Sequence, residues 1–237
     1  MNMNVMHTTW CTKLLHRCLS KRGFMKDVKG VILTDVDGVL LEWESHFTEW
    51  MLQRNYYDDQ QQRVYPYKLL PDKQNTYEMA DRFGLSIIEI RKEIREFNKS
   101  AWMGNQEPMP DCVQWVKLLH AEGWTFIPIT SQTSDLPAQA LRKIRLNTIF
   151  GETVFSNYHI LDTGADKDSV LEQFKDTGLW WVEDKPYNVE TGLKFGLRCI
   201  IIDHEYNRDF NHEKVVRVNN WKEIHQLLKN EKPKFLS

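Results

Sequence analysis

Glycine is scarce in this chain, and the common glycine loops are missing. There are 11 glycines in 237 residues, with no Gly-x-Gly-x-x-Gly and no Walker run. A loop that cradles a dinucleotide or a nucleoside triphosphate is therefore not indicated. Cysteine is equally sparse. The four, at 11, 18, 112 and 199, include no Cys-x-x-Cys, and Cys11 and Cys18 stand too far apart for a zinc-knuckle pair. Free thiols in a reducing, cytoplasmic setting are the expectation. No Gly-x-Ser-x-Gly occurs, so Ser/His/Asp hydrolysis has no support. His159, His204, His212 and His225 are scattered and receive no role. No run of eighteen apolar residues exists, so no membrane span is expected. The first residues lack the continuous apolar core of a secretion signal. A net charge of −2 with 27% charged residues does not suggest a nucleic-acid-coating surface, and no stable nucleic-acid partner is expected.

Acidic residues are also absent before Asp27, while Lys13, Arg17, Lys21 and Arg22 are present. Residues 1–27 carry +4, which leaves −6 for the rest. Trp10, Leu14, Leu15, Cys18 and Leu19 fit one side of a helix. Such a segment suits a targeting peptide, a partner-binding helix, or sequence upstream of a start at Met25. A dispensable extension is the preferred reading.

What is present begins with Val31-Ile-Leu-Thr-Asp-Val-Asp-Gly-Val-Leu40. An apolar run reads as a buried strand, with Asp35 and Asp37 at its tip and Gly38 turning the chain. Carboxylates two residues apart can project toward the same space. Burying them unpartnered is costly, so a cation or catalytic work is the natural reading.

After this strand comes a long polar and aromatic insertion, residues 42–108, with Trp43, Trp50, Tyr56, Tyr57, Tyr65 and Tyr67. Its Ser86–Lys99 run places Ile87, Ile90, Ile94 and Phe97 at helical spacing. The patches around Pro66 and Pro71 read as turns or irregular chain. An insertion this long is not a bare loop, and a small, mainly helical subdomain is expected. From Pro110 strands and helices alternate: helix Asp111–Ala121, strand Trp124–Thr130 and helix Leu136–Leu146 capped by Asp135. A short strand near Val154, a helix from about Asp166 to Phe174 and strand Leu179–Val182 follow. Helix Asn188–Phe195, strands Leu197–Ile202 and Val215–Val218 and helix Trp221–Lys229 complete the series. This alternation predicts an α/β core, a mostly parallel Rossmann-like sheet with helices on both faces. The expected organisation is an extension 1–27, a first core part 28–41, a cap 42–108 and a second core part 109–237. Ligands in such sheets gather at the carboxyl ends of the strands. Asp35/Asp37, Thr130/Ser131 and Glu183/Asp184 all stand there.

Four motifs together resemble the haloacid-dehalogenase superfamily. They are Asp35-Val-Asp-Gly38, Phe-Ile-Pro-Ile-Thr130-Ser131, Ala-Asp-Lys167-Asp-Ser-Val-Leu and Trp-Trp-Val-Glu183-Asp184-Lys-Pro-Tyr-Asn188. The resemblance spans about residues 28–203. The insertion falls where that family places a C1-type cap, and Glu183-Asp184-Lys185 is similar to deoxyribonucleotidase-like members. The resemblance implies a Mg²⁺-dependent phosphomonoesterase. Asp35 is then the nucleophile and Asp37 the acid and base. Thr130, Ser131 and Lys167 contact the phosphate. Asp35, the carbonyl of Asp37 and Asp184 hold the metal. Glu183 is a further ligand or orients Lys167. A nucleoside monophosphate is the implied substrate, with a sugar phosphate the alternative. Asn188 stands where many members carry another Asp, which leaves its surroundings open. Duller roles exist for Thr130, as a turn cap, and for Lys167, as a solvated helix start. A catalytically weak, protein-binding version of the fold is the competing class. A monomer or weak homodimer is expected.

Overall fold

The computed structural model describes residues 30–74, 76–229 and 231. The basic segment 1–27, with Cys11, Cys18, its expected helix and Met25, lies outside the described residues. In chain order the core opens with β1 (Gly30–Thr34). The insertion follows, with α1 (Trp43–Leu52), β2 (Asn55–Asp58), β3 (Arg63–Pro66), α2 (Met79–Phe83) and α3 (Ile87–Lys99). The core resumes with α4 (Cys112–Ala121), β4 (Trp124–Ser131), α5 (Leu136–Phe150), β5 (His159–Leu161) and α6 (Asp168–Leu171). It closes with β6 (Trp180–Glu183), α7 (Pro186–Lys194), β7 (Arg198–Ile202), β8 (Val215–Val218) and α8 (Trp221–Lys229).

Six strands form one sheet in the order β5-β4-β1-β6-β7-β8, every pair parallel. β1 lies in the middle, with Leu33 opposite Ile127 on one side and Trp181 on the other. Side chains alternate between faces, so each strand feeds two cores. Ile32 packs with Leu40, Leu41, Phe126 and Val182 under α4 and α8. Val31 and Leu33 pack with Ile129, Trp181 and Ile201 under the opposite helices. This is the α/β core expected from the alternation.

The insertion has a core of its own. Phe47, Trp50, Met51, Phe83, Ile90 and Phe97 are buried together. Phe47 stacks on Trp43 at 4.9 Å and meets Phe97 edge-on at 5.4 Å. α3 starts at a capping box, with Ser86 accepting from the Glu89 amide and Glu89 reaching back. Two expectations are corrected. The chain around Pro66 is not irregular, because β2 and β3 form a hairpin that pairs Tyr56 with Tyr65. The short strand placed near Val154 is instead His159–Leu161; Phe155 makes only an isolated bridge to Phe126.

Candidate active site

The carboxyl ends of β1, β4 and β6 meet at one cleft of about 830 Å³, roofed by α1 and α3. Parallel pairing brings the strand tips together. Thr34 is opposite Val182 in β6 and Pro128 in β4. The next residue, Asp35, is 3% exposed and donates its amide to the Val182 carbonyl at 2.9 Å. One carboxylate oxygen accepts from the Val36 amide at 2.6 Å, and the other lies 2.7 Å from Lys167 Nζ.

Lys167, just ahead of α6, is also buried. It bridges Asp35 and Glu183, whose Oε2 is 2.8 Å away, and sits over the Trp181 ring at 5.1 Å. Burial opposes its charge, but the two carboxylates hold the ammonium above its usual range. Burial and the charge of Glu183 raise Asp35 to about 7, with Lys167 pulling the other way. Glu183 is fully engaged. Its Oε1 accepts from the amides of Asp184 and Lys185, and its Oε2 from Asn188 Nδ2 and Lys167. Asn188 therefore orients Glu183 by its amide.

Asp184 differs from its neighbour. Its Oδ2 accepts from the Tyr206 hydroxyl, while its buried Oδ1 has no partner. An unpaired buried carboxylate oxygen is costly and calls for a cation. Oxygens of Asp35, Glu183 and Asp184 lie within 4.8 Å of one another. An all-oxygen, anionic set of this kind suits Mg²⁺. Since the four donors to Glu183 already fill its lone pairs, its arrangement favours holding Lys167 over touching a metal. Gly38 is required here. Its φ is +78°, and a Cβ would come within 2.6 Å of Asp184 Oδ2.

Asp37 sits at the mouth. Its Oδ1 is 2.5 Å from Arg142 Nη1, and Thr130 Oγ1 donates to its Oδ2 at 3.4 Å. Ser131 lines the cleft with its hydroxyl turned to the Ala165 carbonyl at 2.7 Å. All seven residues singled out in the sequence thus line or border one cleft. Three further residues were not anticipated. Arg142 is wholly buried in α5, in a stripe with Ala138, Leu146 and Phe150. An arginine inside an apolar four-residue repeat was the signal for it. Tyr206 and His204 come from the loop after β7, where no periodicity marks them. His204 Nε2 is 2.8 Å from the Gly38 carbonyl, and its ring stacks flat on Tyr206. Burial and the Asp184 charge hold the Tyr206 phenol far above its usual range.

Tyr56, Tyr57 and Tyr65 lie on the β2–β3 hairpin and do not line the cleft. The aromatics lining the cleft are Trp43, Tyr77, Tyr187 and Tyr206.

No protein-family model and no curated protein matches the sequence. Solved structures do match. A haloacid-dehalogenase-like hydrolase from Streptococcus pneumoniae aligns with TM-score 0.57 at 12% identity, over 84% of this chain and 98% of that one. D,D-heptose 1,7-bisphosphate phosphatase from B. bronchiseptica, solved with magnesium and phosphate, gives 0.52 at 13%, over 85% and 99%. CbbY from Rhodobacter sphaeroides, solved with phosphate, gives 0.51 at 19%, over 82% and 95%. The chain has the fold of the haloacid-dehalogenase-like hydrolases and phosphatases, with a helical cap inserted after the first strand.

Proposed function

We propose that the protein is a Mg²⁺-dependent phosphomonoester hydrolase working through an aspartyl-phosphate. The observation that carries this is the buried Asp35–Lys167–Glu183 chain beside the unpartnered Asp184 Oδ1. Asp35, Asp184 and the carbonyl of Asp37 would hold the metal, with Glu183 steadying Lys167. The cation supplies charge neutralisation for a phosphate dianion. Asp35 attacks phosphorus, the ester P–O bond breaks, and Asp37 gives its proton to the leaving oxygen. A water then attacks the acyl phosphate, Asp37 takes the water's proton, and phosphate leaves with Asp35 restored. Thr130, Ser131 and Lys167 bind the phosphoryl oxygens. The reported phosphate and magnesium of the structural neighbours support this reading by analogy of fold.

The preferred substrate class is a nucleoside monophosphate, supported by Tyr77, Tyr187 and Tyr206 along the cleft, on which a base could stack. A sugar phosphate is the alternative, and comparable turnover of both would remove the preference. The protein is read as a cytoplasmic monomer or weak homodimer without a nucleic-acid partner. Among the described residues no helix is long and apolar enough to cross a membrane. Phosphate release from p-nitrophenyl phosphate, with and without Mg²⁺, tests the activity. Release that needs the cation and vanishes in Asp35→Asn supports it. No release with any divalent cation, or full activity in Asp35→Asn, overturns it.

A further inference from the structure

The cap helix carries a feature that phosphoryl transfer alone does not use. Arg91 and Arg95 stand one turn apart on α3, are exposed, and line the cleft beside Ile87, Ile94 and Asn98. The helix gives them no acidic neighbour. At three and four residues' distance Arg91 meets Ile87, Ile88, Ile94 and Arg95. Arg95 meets Arg91, Lys92, Asn98 and Lys99. Like charges at this spacing destabilise a helix. Neither makes an ion pair within 4.0 Å among the described residues. The charge of Arg95 contributes to lowering the pKa of Asp162, with which it makes no ion pair within 4.0 Å. Two other cap arginines, Arg54 and Arg82, are treated differently. Arg54 pairs with Glu93 at 3.3 Å and stacks on Trp50, and Arg82 pairs with Glu44 at 2.5 Å.

On the core side of the cleft Lys167 is committed to Asp35 and Glu183, while Lys185 is exposed at the cleft wall. The Arg91–Arg95 pair is what the cap itself offers to an anion. Two guanidinium forks match the paired oxygens of a phosphate or carboxylate.

We propose that Arg91 and Arg95 bind a second anionic group, a phosphate or carboxylate borne by the leaving group of the substrate. The proposal rests on the phosphomonoesterase reading and narrows it to phosphoesters with two anionic groups. A nucleoside bisphosphate satisfies both readings.

The test uses matched pairs on the full chain. Adenosine 5′-monophosphate is set against adenosine 3′,5′-bisphosphate, and fructose 6-phosphate against fructose 1,6-bisphosphate. Glycerol 3-phosphate against 3-phosphoglycerate tests a carboxylate. At least one doubly anionic member should exceed its partner tenfold or more in kcat/KM, mainly through KM. Which pair does so separates phosphate from carboxylate. In the double variant Arg91→Gln/Arg95→Gln that ratio should fall at least tenfold. Lys99→Gln, on the same helix but outside the cleft, should keep it. Equal kcat/KM within every pair, or a ratio the double variant does not change, overturns the proposal while leaving the hydrolase intact. Should no ester be hydrolysed, the hydrolase reading fails, and calorimetry with the same pairs decides this one. Tenfold tighter binding of a doubly anionic member, lost in the double variant, supports it; equal binding overturns it.

Discussion

Asp35 and Glu183 are both buried carboxylates against the same lysine, yet they answer to different partners. Burial raises the pKa of both, but Glu183 is saturated by N–H donors, whereas Asp35 accepts from one amide and Lys167. The folded value of Asp35 is about 7 and its reference value 3.8. Between these the folded protein keeps a proton that the unfolded chain has lost. In the absence of a divalent cation, this group's contribution to stability therefore falls as pH rises from about 4 to 7. Mg²⁺ must displace the same proton, so its affinity should strengthen up to about pH 7 and then level off. Calorimetric titration between pH 5.5 and 8 checks this, and a flat affinity would count against metal ligation by Asp35. Glu183→Ala should leave Lys167 to Asp35 alone and take the acceptor from Asn188 Nδ2 and the amides of Asp184 and Lys185, and cost about 3 kcal/mol, seen as a Tm lower by roughly 6–12 °C. Arg142 acts on Asp37 through their 2.5 Å contact, as a positioning residue. Arg142→Met should lower kcat about tenfold for every substrate with KM nearly unchanged, as steady-state kinetics would show. Asp35, Asp37, Thr130, Asp184 and Lys167 were legible because strand ends and short motifs mark them. Tyr206 was not, because its position depends on how the loop after β7 folds back over Gly38.

At the scale of elements, α3 joins the cap to the core. Asn98, near its end, accepts from Trp43 Nε1 at 2.9 Å and donates to the Gln132 carbonyl at 2.9 Å. Gln132 returns a bond to the Asn98 carbonyl at 3.1 Å. Gln132 directly follows Ser131, so the cap is tied to the tip of β4. Asn98→Ala should leave Trp43 Nε1 without its acceptor and cut one donor from the Gln132 carbonyl, and cost about 2 kcal/mol. Faster amide exchange across Met79–Gly104 would report the loosened tie. Exchange unchanged from the parent would show that apolar packing alone seats the cap. The helical period of Ile87, Ile90, Ile94 and Phe97 announced α3, but not which side meets the cleft. Ile90 and Phe97 turn into the cap core, while Ile87 lines the cleft half exposed. The hairpin escaped notice because its strands, Asn-Tyr-Tyr-Asp and Arg-Val-Tyr-Pro, do not alternate and are four residues each, too few to set a period.

For the molecule as a whole, six parallel strands with helices on both faces follow from the alternation of apolar runs and amphipathic helices. The strand order does not, since nothing local says that β1 will lie between β4 and β6. The cap core encloses Phe97 and Ile90 within one chain, and a monomer or weak homodimer is what we propose. Light scattering at two concentrations checks it, and a stable tetramer would show it wrong. The central position of β1 also has a consequence for how the protein is made. Its neighbours in the sheet begin at Trp124 and Trp180. On the ribosome, an apolar strand with two unpaired edges waits through roughly 90 further residues, or about 5–20 s of synthesis, before its first partner is even polymerised. The cap can fold in that interval from contacts close in sequence, but the sheet cannot. Assembly governed by such distant pairings is slow, and β1 is the segment that nascent-chain chaperones should hold longest.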